Sequence, residues 1–227
     1  NYSYLKRFLD VTKSNLFFAR GVIIVEGWAE EILIPTIAER LGYDLTKHEV
    51  SIVNVGSTAY LHFAKIFLRN DGKKMNIPVS IITDLDIRPD ENGNFNSPEE
   101  SEKRISIENA FNEFGDSDVK LIIAKQWTLE WCLFKSSSLS MDFKESVLKV
   151  HSKTDEFKKD EHGSFKSEFQ FKLIQKLSKK EGVAPLDKVA IANTLSERII
   201  ENQAVLDPKD EYIKYLIDAI LHACNVQ

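Results

Sequence analysis

The sequence predicts an α/β fold, with a mostly parallel four-stranded sheet flanked by helices and a C-terminal helical region. Three observations carry that prediction. Four short β-branched runs, "GVIIVEG" (21–27), "VSIVNVG" (50–56), "PVSIITDLD" (78–86) and "VKLIIAKQ" (119–126), are nearly continuous in apolar residues. Such runs mark strands buried on both faces. Helical patterns lie between them, which calls for crossover connections. Beyond about Gln126 the strands fade, and Lys- and Glu-rich amphipathic stretches take over.

Taken in order, the opening "NYSYLKRFLDVTKSNLFFARG" reads as a lead-in helix over 1–20 running into the first strand. It starts at Asn1 rather than Met, so a piece of something longer is expected. Residues 28–41 place Ile32, Ile37 and Leu41 along one apolar side, and Gly42 supplies a stop. Pro35 removes one backbone donor, so this helix is expected to bend or to start late. Residues 57–70 are expected to form a second helix, with Ser57 as a candidate N-cap and an end at Asn70-Asp71-Gly72. The tract Arg88–Ser101, polar with Pro, Gly and Asn, reads as a loop at the carboxyl end of the sheet. Later helices are expected over 137–150, 164–181, 185–202 and 208–223, with a flexible stretch at 151–168. The chain shows no internal repeat.

Bulk composition narrows the class. The 227 residues suit one large domain, or a core with an appendage, and 43% hydrophobic content suffices for a core. A net charge of −5 gives no overall polyanion-binding surface, yet clustered metal-binding carboxylates would themselves make a site acidic. Cys132 and Cys224 are far apart and lack ligand spacing, which reads as free thiols in a reducing cytoplasm. No apolar run approaches membrane-spanning length, and no signal-peptide pattern opens the chain.

The chemistry-bearing residues gather where such folds bind ligands, outside the carboxyl ends of strands. Glu26 ends the first apolar run, and Asp84 and Asp86 end the third. Two residues apart in extended geometry, the aspartates share a face. Glu30 lies one helical turn after Glu26, with Glu31 as its fallback; Glu130 follows the fourth strand among Trp127, Leu129, Trp131 and Leu133. Like charges packed together repel unless a cation neutralises them, and an oxygen-only donor set favours Mg²⁺, Mn²⁺ or Ca²⁺. Five carboxylates would suit two ions about 4 Å apart, the arrangement for in-line attack on a phosphodiester. Gly56 and Ser57, at a strand-to-helix turn, offer backbone N–H groups to a phosphate or a water-bridged metal. Each piece also has an ordinary reading: an Asp-x-Asp turn, the polar face of a helix, a capping glutamate. The combination of strand–Glu-Gly–helix with strand–Asp-x-Asp is more informative than any part.

"VEGWAEE" followed by "IITDLD" resembles the Toprim domain of topoisomerases, bacterial primases and certain nucleases. The longer set, "FLDVTKSNLFFARGVIIVEGWAEEILIPTIAERLG", "VNVGS", "IITDLDIRP", "KQWTLEW" and "KVAIANTLSERI", is similar to the Toprim region of the overcoming-lysogenization-defect (OLD) nucleases, from about residue 6 to 201. The resemblance implies a lead-in helix at 1–20, a Toprim core at 21–135 and a helical appendage at 136–227. It implies metal ligands at Glu26, Glu30, Asp84, Asp86 and Glu130, with Mg²⁺ or Mn²⁺ as the two ions and Ca²⁺ as a further candidate. Lys188 matches a catalytic lysine that opens a late helix, although Val189 and Ala190 replace the family's glycine and aromatic; Lys125 is its competitor. DNA is the implied substrate, and Lys65, Arg69, Lys73 and Lys74 are expected to track its backbone. The implied partner is an N-terminal ABC-type ATPase domain, with a homodimer formed through the full-length protein. No Gly-x-x-x-x-Gly-Lys-Ser/Thr loop occurs, so this chain has no ATP site of that kind. Two other functions stay open: a primase-like nucleotidyl transferase or phosphatase, and a dormant DNA-binding or dimerisation module.

Overall fold

A computed structural model describes residues 18–56, 67, 76–112 and 118–225. The four apolar runs form the strands β1 (Gly21–Val25), β2 (Val50–Asn54), β3 (Val79–Thr83) and β4 (Val119–Ile123), in one parallel sheet of order β2-β1-β3-β4. β1 pairs with β2 on one side and β3 on the other. The chain therefore reverses its winding direction at β1, which places the topological switch point at the carboxyl ends of β1 and β3. Every residue of both strands is buried, as expected for strands covered on two faces.

The chain divides into two compact units, one of Asn1–Thr83, Phe111–Ile122 and Tyr215–Gln227, the other of Asp84–Ala110 and Ile123–Lys214. In the first, Val22, Ile24, Val53, Val79, Ile81 and Phe67 pack in one apolar cluster. Helix α1 (Trp28–Arg40) follows β1 directly, so the late start expected from Pro35 does not occur; the proline lies inside the helix. Phe67 is the one described residue of the helix expected at 57–70, and the lead-in helix lies outside the described residues except for its last few positions. The C-terminal helix also belongs to this unit, apart from Lys214 at its start. Ser80, fully buried in β3, donates to the Ala219 carbonyl, and a Cβ at Gly21 would sit 1.9 Å from the Ala223 carbonyl oxygen. Glycine at the start of β1 is thus required by the close approach of backbone.

The second unit is helical: α2 (Ser97–Asn112, running past the unit's edge), α3 (Leu129–Lys135), α4 (Ser140–Val150), α5 (Phe169–Leu177) and α6 (Lys188–Glu201), with α7 (Lys214–Ala223) beginning at its last residue. Helix α2 corrects the loop expected at Arg88–Ser101, whose last five residues are helical. Pro98 and the acids Glu99 and Glu100 supply a first-turn signal, but the helix is polar nearly all round and shows no apolar stripe. The core is aromatic, with Trp131, Phe143 and Phe157 fully buried. Phe157 and Phe169 meet with ring centroids 4.7 Å apart. The stretch 151–168, expected to be flexible, is anchored by Phe157 and by ion pairs from Lys158 and Lys166 to Asp155 and from Lys172 to Glu156. "DENGNF" (90–95) and "DEHGSF" (160–165) build the same turn: in each, the aspartate accepts from the N–H groups two and four residues on, and the glycine has positive φ. The chain thus carries a short recurrent turn, where the sequence was expected to show no repeat.

Candidate active site

The candidate residues divide between the two units. In the first, the end of β1 delivers Glu26, and its Oε1 accepts a hydrogen bond from the Thr83 hydroxyl at the end of β3, 2.5 Å away. The parallel pairing of β1 with β3 brings these two positions level. The next residue along the chain is Asp84. Gly27 follows Glu26 in extended conformation (φ −143°, ψ 171°), which any residue could adopt. A Cβ at Gly27 would lie 2.9 Å from Oε2 of Glu30, so glycine leaves room for that carboxylate where it stands. The Glu30 carboxylate thus folds back from the first turn of α1 over the Glu26–Gly27 turn. Glu31, its fallback, is engaged elsewhere and accepts from the Asn54 side-chain amide at 2.9 Å.

At the end of β2, Gly56 has φ +65° and supplies the expected tight turn. Its N–H is donated to Asn54 Oδ1 at 2.9 Å, so that group already serves the turn rather than a phosphate. Ser57 lies outside the described residues, as do Lys65, Arg69, Lys73 and Lys74.

In the second unit, the Asp84 carboxylate accepts from the Leu129 N–H at 3.0 Å. Together with Thr128, whose hydroxyl accepts from the Trp131 N–H, it caps the start of α3. Extended geometry ends at Thr83, and Asp86 has φ +59°, so the extended spacing expected for the two aspartates does not hold there. Burial still alternates, with Leu85 and Ile87 inside and Asp86 exposed. A left-handed aspartate is uncommon and persists where its surroundings hold it. Asp86 donates its N–H to the Trp127 carbonyl at 2.9 Å, and Trp127 is itself left-handed (φ +32°). Arg104 of α2 secures that loop, because its guanidinium donates to the carbonyls of Ala124 and Lys125 at 3.0 and 3.1 Å.

Glu130, only 3% exposed, is the second residue of α3. Its Oε2 is buried and accepts no hydrogen bond of regular geometry, yet the Lys188 ammonium stands 2.8 Å away. The contact is an ion pair whose approach angle falls outside hydrogen-bond limits. Lys188 opens α6, as expected. Lys125, the competitor, pairs with the exposed Glu211 at 2.9 Å. Cys132 is buried with its thiol pushed up to about 12, chiefly by desolvation, which leaves it inert.

The donors on offer are carboxylate oxygens, which fit a hard divalent cation and no soft one. Among the described residues, no three His, Cys, Asp or Glu side chains stand close enough together to hold an ion. No sequence motif singles out Thr83, Asn54 or Arg104. For Thr83 and Asn54 the available signal was a polar residue closing an apolar strand.

Fold and site together define a parallel α/β domain that sets a glutamate at its topological switch point, with aspartates immediately after the neighbouring strand. Residues 17–86 match the family model of the overcoming lysogenization defect protein-like Toprim domain. Glu26, Glu30, Asp84 and Asp86 fall inside the match; Glu130 and Lys188 fall beyond it. The chain is 25% identical to the endonuclease GajA of Bacillus cereus (strain HuB5-5) over 93% of its own length and 32% of GajA's, so it spans about a third of that relative. Two solved structures share the fold. The C-terminal region of the Burkholderia pseudomallei OLD protein has a TM-score of 0.51 at 21% identity, covering 91% of this chain and 98% of that one. The corresponding region of the Xanthomonas campestris pv. campestris OLD protein has a TM-score of 0.53 at 20% identity, covering 93% and 95%. No described helix is long and apolar enough to cross a membrane.

Proposed function

We propose that this chain is a divalent-metal-dependent DNA endonuclease, the Toprim half of a larger ATPase–nuclease that works in the cytoplasm. The observation that carries the reading is the Glu26–Thr83 hydrogen bond at the ends of paired strands, with Asp84 next in the chain, inside a segment that matches the OLD-like Toprim family. The similarity to an endonuclease along 93% of the chain supports the same reaction. Mg²⁺ or Mn²⁺ are the preferred ions, with Ca²⁺ as a further candidate. Glu26, Asp84 and Asp86 would hold one ion, and Glu30 and Glu130 would reach a second. Bound ions would lower the pKa of an attacking water and offset charge on the phosphate.

The chain's own residues prepare those ligands. Thr83 fixes the Glu26 carboxylate by donating to it. The Leu129 N–H fixes Asp84, and the Trp127 carbonyl fixes the backbone of Asp86. Lys188 brings a cation that can stabilise charge on the reacting phosphate or protonate the leaving oxygen. The test is cleavage of supercoiled plasmid by this chain in Mg²⁺, Mn²⁺, Ca²⁺ or EDTA, beside Asp84→Ala. Nicked or linear DNA that needs both metal and Asp84 is expected. Equal cleavage by the Asp84→Ala protein would sink the assignment, and phosphate release from small esters without DNA would indicate a phosphatase instead.

A further inference from the structure

The Glu130–Lys188 pair differs from the ordinary ion pairs of this chain. Lys125 and Glu211 are both well exposed, and such surface pairs contribute little. Glu130 is 3% exposed, among the buried Leu129, Trp131, Cys132 and Leu133, whereas the Lys188 side chain is 42% exposed. A buried carboxylate is costly unless a charge compensates it. Here an ammonium faces the buried Oε2 at 2.8 Å, without an aligned hydrogen bond. Local helix chemistry does not explain the lysine, because a cation in the first turn of α6 opposes the helix dipole. The ammonium is a compact charge on a flexible stem, able to swing away when something better takes its place.

We propose that Lys188 acts as a stand-in cation at Glu130. In the metal-free chain it neutralises the buried carboxylate, and a divalent ion competes with it for Oε2. Entry of the ion releases the ammonium toward the solvent side, where a phosphate can meet it. The inference rests on the metal-dependent reading above and adds a coupling: the lysine is engaged until the ion is bound. Lys188 is in this respect a positioning residue for the metal site as well as a candidate contact to phosphate.

The experiment is Mn²⁺ titration of this chain, by calorimetry and by melting temperature, for wild type, Lys188→Met and Lys188→Met/Glu130→Gln. Without metal, Lys188→Met should melt roughly 6–12 °C lower, since it strands a buried carboxylate. With Mn²⁺ it should recover most of that loss, and its affinity for one Mn²⁺ should be about tenfold higher than that of wild type. The added Glu130→Gln change should remove the gain. Should Lys188→Met fail to fold, Lys188→Gln drops the charge, keeps a polar N–H donor and is read the same way. If wild type binds Mn²⁺ and the Lys188 variant binds it no more tightly, the stand-in idea fails while the nuclease reading survives. If no protein binds Mn²⁺, both fail.

Discussion

The two groups of candidate residues are built by different means. Glu26 and Glu30 are delivered by regular structure: a strand ends, a turn follows, and a helix begins at once. Asp84, Asp86 and Glu130 depend on irregular backbone, with two left-handed residues tied by one hydrogen bond and a short helix capped by one of the acids themselves. The lesson concerns cost. In the first group a side chain can be changed without altering what holds the fold. In the second, the aspartates serve the local structure and the proposed chemistry together, so mutations there should register in both.

The largest expected effect tests that contrast. Glu26→Ala and Asp84→Ala should each reduce plasmid cleavage by about 10³-fold or more, the scale lost with a principal electrostatic group. They should differ in stability. Glu26→Ala removes a partner of Thr83 and should melt near wild type, whereas Asp84→Ala removes a cap from α3 and should cost about 1 kcal/mol. Asp84→Asn, which can still accept the Leu129 N–H, should recover the stability and none of the cleavage. Equal melting temperatures for Asp84→Ala and Glu26→Ala would break the comparison.

Arg104→Met comes next. It frees the carbonyls of Ala124 and Lys125 just before the loop that holds Asp86 and Asp84. A displacement on the order of 1 Å at reacting groups costs about 10²-fold in rate, and a loss of that order is expected in kcat with KM for DNA little changed. A rise in KM alone would show instead that Arg104 contacts DNA. Gly27→Ala should have a smaller effect. The new methyl meets only the flexible end of Glu30, so the fold should tolerate it. Pushing that carboxylate aside should cost about tenfold in cleavage, the lower end of what misplaced ligand support costs. Circular dichroism would confirm the intact fold, and unchanged cleavage would remove Glu30 from the proposed ligand set.

The same contrast governs what could be read from the residues. The end of β1 was legible because a short β-branched run flanked by Gly21 and Gly27 reads as a buried strand, and a lone carboxylate at its tip demands a reason. Strands β2, β3 and β4 were placed to within a few residues on the same signal. Helix α2 was not legible: its surroundings read as loop, and with few apolar residues in register it gave no period to detect. Its partner role, through Arg104, went with it. "DLD" reads as extended chain, and only the loop at Trp127 reveals that Asp86 turns left-handed. Long-range partners such as Thr83 for Glu26 or Lys188 for Glu130 depend on which strands and helices meet, which periodicity does not encode.

The smallest expected effect on cleavage belongs to Asp210, an acid with purely structural surroundings. It is buried and accepts from the Ser136 hydroxyl at 2.6 Å, the Ser138 N–H at 2.9 Å and the Tyr212 N–H at 3.1 Å. Burial alone would push its carboxyl up, but these hydrogen bonds outweigh burial and hold it below the ordinary carboxylate value. A depressed native pKa contributes stability that is fully present above the unfolded-state value and is lost as pH falls through the native one. Asp210→Asn should therefore be less stable than wild type at pH 7, by about 2–3 kcal/mol for weakened charge-assisted hydrogen bonds. The gap should narrow only on acidification below about pH 4, as the wild-type carboxyl takes up its proton. Urea melts at pH 7 and pH 3 would measure it. Cleavage below the melting transition should stay at the wild-type rate, in contrast to Asp84→Asn. If Asp210→Asn impaired cleavage as Asp84→Asn does, loss of rate could no longer separate the candidate ligands from the acids that hold the second unit together.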